Sequence, residues 1–499
     1  MNNPRASSFS LAVLLGLLSA WAINVRVVAA ESMPESAKAA HVLNRLAFGP
    51  RPGDLERVQA MGLDAYIREQ LASDAIPLPS ELQHALDALP TTHLSSAELF
   101  AEYGPPISRG RGQQRDPEAM KAARQRAKII VEEAAQARLM RAIDSPQQLQ
   151  EVMVDFWFNH FNIFSGKELD RLWVGAFEND AIRPYALGRF RDLLGATAKH
   201  PAMLEYLDNW KNTAPGSPGA RGALKGLNEN YARELMELHT LGVNGGYTQD
   251  DVIVLARMLT GWTYRQPTKR GPHIGFYFDS KRHDFSGKVL LGHHIAGRGE
   301  AEGEEALALL ARHPSTAHHL AYQLAQYFVA DEPDPLLVDQ LAQRFLDTDG
   351  DIRAVLSTLF HSPQFWDQQA FEAKFKTPYQ FMISLVRVTG VRVDNYRMFA
   401  QILQQLGMPL YGCLTPDGYK NTQDAWLNPD SVLHRLSLAT FFANGNRRLN
   451  PNISQGPDAK FLLSTTDPWL SDHTRQVVDA APPSMRAALI LGSPELMRR

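Results

Sequence analysis

From residue 36 onward, apolar side chains recur at spacings of three and four, and the runs are cut by glycine, proline and capping motifs; this helical periodicity limits the chain to a small set of folds. Residues 39–48 and 52–71 form two such runs, parted by Gly49-Pro50. Residues 117–143, rich in Ala, Arg, Lys and Glu, favour helix by propensity alone. Ser145-Pro146-Gln147-Gln148 has the form of a capping box with proline at the first helical position, and predicts a helix to about Asn162. Asn228 suits the N-cap of a helix ending near Gly242, and Thr248 with Asp251 forms a second capping box for a helix to about Trp262. Only residues 274–291 read as strand: Phe276-Tyr277-Phe278 and Val289-Leu290-Leu291 flank a polar His283-Asp284 turn. The expected class is mainly α, a multi-helix globular fold with one small β hairpin.

Two segments rich in Gly and Pro, 103–116 and 213–226, read as loops. The expected organisation is a leader at 1–30, an N-terminal helical lobe at 31–212, central helices with the hairpin at 213–330, and a C-terminal helical lobe at 331–499. A chain of 499 residues, 44% of them hydrophobic, can bury a large core. A net charge of -3 implies no general attraction for nucleic acid, and the single cysteine, Cys413, excludes an internal disulfide framework and a thiolate-rich metal cluster. At the start, Arg5 precedes an apolar run at 11–23, and Val28-Ala29-Ala30 offers small residues before Glu31, the pattern of a signal peptide. Such a run is too short to span a bilayer comfortably; a retained anchor is the alternative, because Arg26 interrupts the approach to the cleavage site. The expected mature protein is exported, periplasmic or secreted, with no membrane span after cleavage.

Several tempting motifs fail. A calcium loop counted from Asp347 would need glycine and glutamate where Ile352 and Thr358 stand; Asp351 instead suits a helix cap. Phosphate-binding, dinucleotide-binding, serine-hydrolase and zinc-protease signatures are absent. His318 and His319, adjacent on a helix, diverge by about 100° and are poorly placed to share a metal.

The segment 228–242 is the richest in chemistry. On a helix, Asn230, Glu234 and Glu237 fall on one stripe, with Arg233 beside it and within reach of Glu237. Two nearby carboxylates repel, so one can hold its proton near neutrality and act as an acid. The same stripe also reads as a solvated flank with a helical Arg233–Glu237 pair. Between 147 and 162, Gln148, Glu151, Asp155, Asn159 and Asn162 form a polar face, while His160 lies among aromatics on the other. His160 is either a core histidine with a satisfied hydrogen bond or a pocket-lining base or ligand. His283-Asp284 sits in a loop, free of helical constraint. Arg221 and Lys225 precede the helix start at Asn228, where they would suit an anionic substrate group, or belong to a plain surface loop.

At these residues the chain resembles a bacterial family catalogued as domain of unknown function 1800. The resemblance rests on Leu43-Asn44-Arg45-Leu46-Ala47-Phe48-Gly49-Pro50, Phe156-Trp157-Phe158-Asn159-His160-Phe161, His200-Pro201-Ala202-Met203-Leu204 and the run from Leu227 to Gly242. Thr260-Gly261-Trp262, His283-Asp284, His313-Pro314, Lys376-Thr377-Pro378 and Trp426-Leu427-Asn428-Pro429 follow in the family's order. The resemblance implies an exported, largely helical protein without an assigned reaction, often accompanying a sulfatase-like family, domain of unknown function 1501. His318-His319 departs from the family, where relatives tend to carry basic and apolar residues.

The expected function is a hydrolase or lyase acting on an extracellular or periplasmic polymer, a glycan. Glu234 and Glu237 would serve as acid and base, Asn230 and Arg233 would orient substrate, and His160 and His283 would assist proton transfer, with Asp284 orienting His283. A variant places a divalent metal on Glu237, His283 and Asp284. The alternative is a non-catalytic binding or assembly module for a surface polymer or a sulfatase-like partner.

Overall fold

The computed structural model describes residues 33–105, 117–222, 224–265, 275–445, 447–452 and 455–499; the leader and most of the 103–116 connector lie outside them. The described chain is mainly α, with two small antiparallel two-stranded sheets. Among the described residues no helix is long and apolar enough to cross a membrane.

Glycine and cap chemistry place several of the boundaries. The run at 52–71 is two helices, Asp54–Met61 and Leu63–Leu71, parted at Gly62, whose φ of 86° is outside helical geometry. Residues 117–143 also divide, into Pro117–Arg126 and Lys128–Asp144, at Ala127, which no glycine or proline announces. The expected box at Ser145 does not form. Ser145 Oγ accepts only the Gln147 N–H at 3.1 Å, while Gln148 donates to the carbonyls of Ala142 and Ser145 and the helix runs Gln148–His160. The box at Thr248 does form: its Oγ1 accepts the Asp251 N–H at 3.2 Å, and Asp251 accepts the Thr248 N–H at 2.9 Å. Asp251 also accepts the Leu291 N–H, tying this helix start to a hairpin turn. Thr248→Ala is expected to cost about 1 kcal/mol and Asp251→Ala more, because the hairpin anchor goes with it; urea denaturation of the two variants checks the order.

Both strand segments named from sequence are strands, but they do not pair with each other. β1, Trp262–Tyr264, pairs with β2, Phe276–Phe278; β3, Lys288–Leu290, pairs with β4, His293–Ile295. Gly261 permits the first pairing: a Cβ there would fall 2.5 Å from the Asp279 carbonyl oxygen. Leu291 and Gly292, at φ 47° and 80°, supply the two positive-φ positions of a tight hairpin turn. Leu291, read as the end of a strand, is a turn residue.

The helix Gln148–His160 runs through the middle of the core and is buried along both faces. Its apolar side carries Trp157, whose Nε1 donates to the Ala186 carbonyl at 2.9 Å. Its polar side meets arginines rather than water. Arg138 bridges Asp155 at 2.6 Å and Glu178 at 3.2 Å, and Arg183 bridges Glu151 at 2.7 Å and Glu178 at 3.0 Å. Glu178 enters this network from a π turn, Phe177–Ile182, that continues the helix Asp170–Ala176. Long-range arginines join the expected lobes. Arg45 reaches the carbonyls of Val329 and Ala370, and Arg387 reaches those of Gly49 and Ile143. One contiguous apolar core runs through all three segments of the chain.

Candidate functional site

The C-terminal end of the Gln148–His160 helix, the helices Asn230–Glu237 and Pro314–Phe328, and the segment 408–422 enclose a cleft of about 340 Å³. Local sequence sets its outer wall. Asn159 holds the Tyr419 backbone at both polar atoms, accepting its N–H at 2.7 Å and donating to its carbonyl at 2.8 Å. Asn162 donates to the carbonyls of Cys413 and Thr415. Gly418, at φ 68°, lies so close that a Cβ would sit 2.3 Å from the Asn159 carbonyl oxygen. The loop is thereby fixed with Asp417, Tyr419 and Lys420 facing the cleft, and Lys420 donates to Asp417 at 3.1 Å.

Glu237 lines this cleft, and Glu234 stands one turn earlier on the same half-buried flank. Burial pushes the Glu234 carboxyl above its ordinary range; the charges of Glu237 and Asp417 add to this, and Arg233 opposes it without reversing it. His160 also lines the cleft. Its Nε2 lies 3.1 Å from the His239 carbonyl, which can only accept, so Nε2 carries the hydrogen. Burial, and then His319, push the His160 ring down to about 3, leaving it neutral; Gln323 engages it from the side chain. Behind it His239 is buried, its Nε2 without a partner, and burial followed by the His160 charge pushes it down as well. His319 reaches the Leu238 carbonyl at 3.3 Å and is lowered chiefly by burial. The inner wall is thus a cluster of neutral imidazoles, and the flank is acidic.

The structure brings Glu237 and His160 into the cleft, with Glu234 beside it on the flank within reach of the Glu237 and Asp417 charges, but not the rest of the expected set. Arg233 turns away from Glu237 to Glu229 at 3.1 Å and Gln249 at 2.9 Å. Glu229 and Gln249 are also bonded to each other at 2.8 Å, and this three-membered network outcompetes a single helical pair. Asn230 is exposed; its side chain donates to the Leu207 carbonyl at 3.3 Å, and its N–H goes to Asn228 Oδ1 at 3.0 Å. Arg221 and Lys225 are exposed on the 213–226 loop, which is pinned instead to Lys281 and Arg282 through backbone bonds. His283 is buried in a separate polar cluster: Nδ1 faces the Thr260 carbonyl at 2.8 Å and Nε2 faces Glu302 at 3.0 Å. Glu302 in turn holds Lys288 at 2.6 Å. Asp284 does not orient His283; it takes Arg257 at 2.7 Å and the Ser286 hydroxyl at 2.5 Å. Burial raises the Asp284 carboxyl, but the bonds from Ser286 and Arg257 outweigh it and hold the group at about 2. Among the described residues no three His, Cys, Asp or Glu side chains are grouped to hold a metal ion, so Glu237, His283 and Asp284 form no such set.

Asp417, Lys420 and His319 were not singled out as site residues from the sequence. Pro416-Asp417-Gly418 reads as an ordinary turn, and its approach to Asn159 crosses some 260 residues of chain. The divergence of His318 and His319 is as the helical angle requires: His318 is exposed beside Asp339, and His319 enters the cleft.

The fold and the cleft define a largely helical protein with an acidic flank set against neutral histidines. The chain belongs to the family described as "Protein of unknown function (DUF1800)", whose profile matches residues 41–498. No curated protein and no solved structure matches it.

Proposed function

We propose that this protein is an exported hydrolase or lyase acting on a polymer, a glycan, in the cleft lined by Glu237. The observation that carries this reading is the Glu234 carboxyl, raised by burial and by Glu237 on the same flank. A raised carboxyl keeps a proton to donate while its partner stays a base, the division of labour acid–base cleavage needs. Amide and hydroxyl side chains in the cleft, Gln323, Gln326, Asn421 and Thr422 among them, suit a hydroxyl-rich chain. Export rests on the leader pattern at 1–30. His160, with Nε2 tied to a carbonyl, is a wall and a dipole here rather than a base.

Glu234→Gln and Glu237→Gln are each expected to lower turnover of a responsive glycan by about 10²–10⁴-fold with the melting temperature unchanged. Activity should fall as pH rises through the raised range of Glu234, because the acid is then ionised; Glu234→Gln should abolish that limb. Unchanged turnover in both variants would refute the assignment. A second reading, a non-catalytic module holding the polymer or a sulfatase-like partner, draws on the engaged nitrogens of His160. It predicts saturable polymer binding without cleavage, indifferent to Glu234→Gln.

A further inference from the structure

A second cavity of about 340 Å³ lies apart from the cleft, between the helix Ser96–Tyr103, the helix Pro117–Arg126, the start of the helix Asp170–Ala176 and β1. Its size falls at the lower end of small-molecule sites, about 300–1,000 Å³. Aromatic rings of Phe100, Tyr103, Trp210 and Tyr264 form much of its wall.

Its charges are of both signs, with Glu205 buried, Arg171 half-buried, and Glu168 and Arg124 exposed. On the inside is Glu205, 2% exposed, which accepts the Tyr264 hydroxyl at 2.5 Å. Glu168 brings its carboxyl within hydrogen-bonding reach of Glu205 from a backbone at φ 31°, a left-handed position that strains a residue with a side chain. Next to Glu205 is Asp170, wholly buried, with neither carboxylate oxygen bonded. Trp210, also on the wall, has a buried Nε1–H without an acceptor. The nearby lysines make their ion pairs elsewhere, Lys167 and Lys211 both to Asp208 with Lys211 over the Trp210 ring, and reach these carboxyls only through charge at a distance, Lys167 on Asp170 and Lys211 on Glu168 and Glu205. Two guanidinium groups line the same cavity, and Arg171 donates to the carbonyls of Glu168 at 3.1 Å and Gly166 at 3.3 Å. Arg124 is exposed, and its charge depresses that of Arg171 after burial, which places the two in one neighbourhood.

Buried carboxyls without a cation bonded to them are costly unless something compensates them. Among the described residues no trio here could hold a metal ion, whereas an organic ammonium needs only carboxylates and π faces. The paired guanidiniums ask for the opposite charge. We propose that this cavity is a binding site, distinct from the cleft, for a small zwitterion of the amino-acid class: its ammonium meets Glu205 and Glu168, its carboxylate meets Arg124 and Arg171, and an apolar side chain lies against the aromatic wall. Burial, with Glu168 adding to it, pushes Glu205 up to about 7, while Tyr264 opposes. An arriving ammonium favours the ionised pair, so binding near neutrality releases a proton to solvent. Glu168, Asp170, Asp208, Lys167, Lys211, Arg124, Arg171 and Tyr264 are the charged and titratable groups around Glu205.

The test is calorimetric titration of the full chain with L-leucine and L-phenylalanine, and with N-acetyl-L-leucine and L-leucinamide, which lack one charge each. Saturable binding of the free amino acids is expected, weakened about tenfold or more in each derivative, with proton release seen as heat that differs between phosphate and Tris buffers. Glu205→Gln keeps an oxygen for the Tyr264 hydroxyl, and Arg124→Gln changes an exposed helical site, so both should fold; each should weaken binding about tenfold or more. Glu237→Gln should bind as the native chain does, which separates this site from the cleft. No saturable binding at about 10 mM, equal binding of the singly charged derivatives, or full binding by both variants would overturn the proposal.

Discussion

Replacing Arg138 by methionine is expected to destabilise the protein by about 3–5 kcal/mol. The guanidinium is 5% exposed and neutralises Asp155 and Glu178 at once. It also lies over the rings of Phe158, Tyr379 and Tyr411, at 5.1, 5.3 and 5.5 Å. Methionine fills the space but leaves two buried carboxylates short of a partner. Glu178 retains Arg183 and the Tyr411 hydroxyl at 2.9 Å, whereas Asp155 keeps only a long contact to the Tyr327 hydroxyl at 3.4 Å. Asp155 should therefore take up a proton, a tendency that burial already gives it. Because Asp155 also lines the cleft, the change reaches the site. Arg138→Lys keeps the charge without the fork and should fall between the two. Urea midpoints indistinguishable from the native chain would show that the network adds nothing.

A steep loss of stability is expected between about pH 4.5 and pH 3, arising from buried histidines. Burial holds His160 and His200 down to about 3, and His41 and His239 are lowered by the same cause. Below about pH 6.5 the unfolded chain binds protons on these rings and the folded chain does not, so each ring removes up to about 1.4 kcal/mol per pH unit. Carboxyls act in the opposite sense. Glu205 and Glu372, pushed up to about 7 mainly by burial, keep protons in the folded state that the unfolded chain has lost, and offset the histidines down to about pH 4.5. Below that value these carboxyls are protonated in both states, and the imidazole loss is no longer offset; carboxyls held low in the fold, Asp284 at about 2 among them, add to it as they take up protons. His200 Nδ1 caps the helix Pro201–Tyr206 by accepting the Ala202 N–H, a task an asparagine oxygen can perform. His200→Asn should flatten the acid limb of a stability–pH curve; an unaltered slope would remove this ring from the account.

Features decided within a few residues were legible beforehand: the Thr248–Asp251 box, the cap at Asp351 and the helical class as a whole. Features decided by partners far along the chain were not. The break at Ala127 is a packing event at a buried alanine that carries no local signal. Arg233 had two acidic neighbours on its own helix, and its choice of Glu229 is fixed by Gln249 from another element. The polar face of the Gln148–His160 helix was legible as polar, but not its arginine partners, which lie 17 to 32 residues away. In the site, helical spacing alone placed Glu234 beside Glu237, and it could not separate His160, which reaches the cleft, from His283, which a buried glutamate holds elsewhere.

The double grip of Asn159 on Tyr419, with Gly418 pressed against the same residue, bears on the rate at which the cleft fills. A wall fastened at both backbone polar atoms does not need to be ordered when a guest arrives, so little conformational entropy is spent on entry. Occupancy should then rise with a simple second-order rate set by encounter and orientation, with no slow unimolecular phase before or after contact.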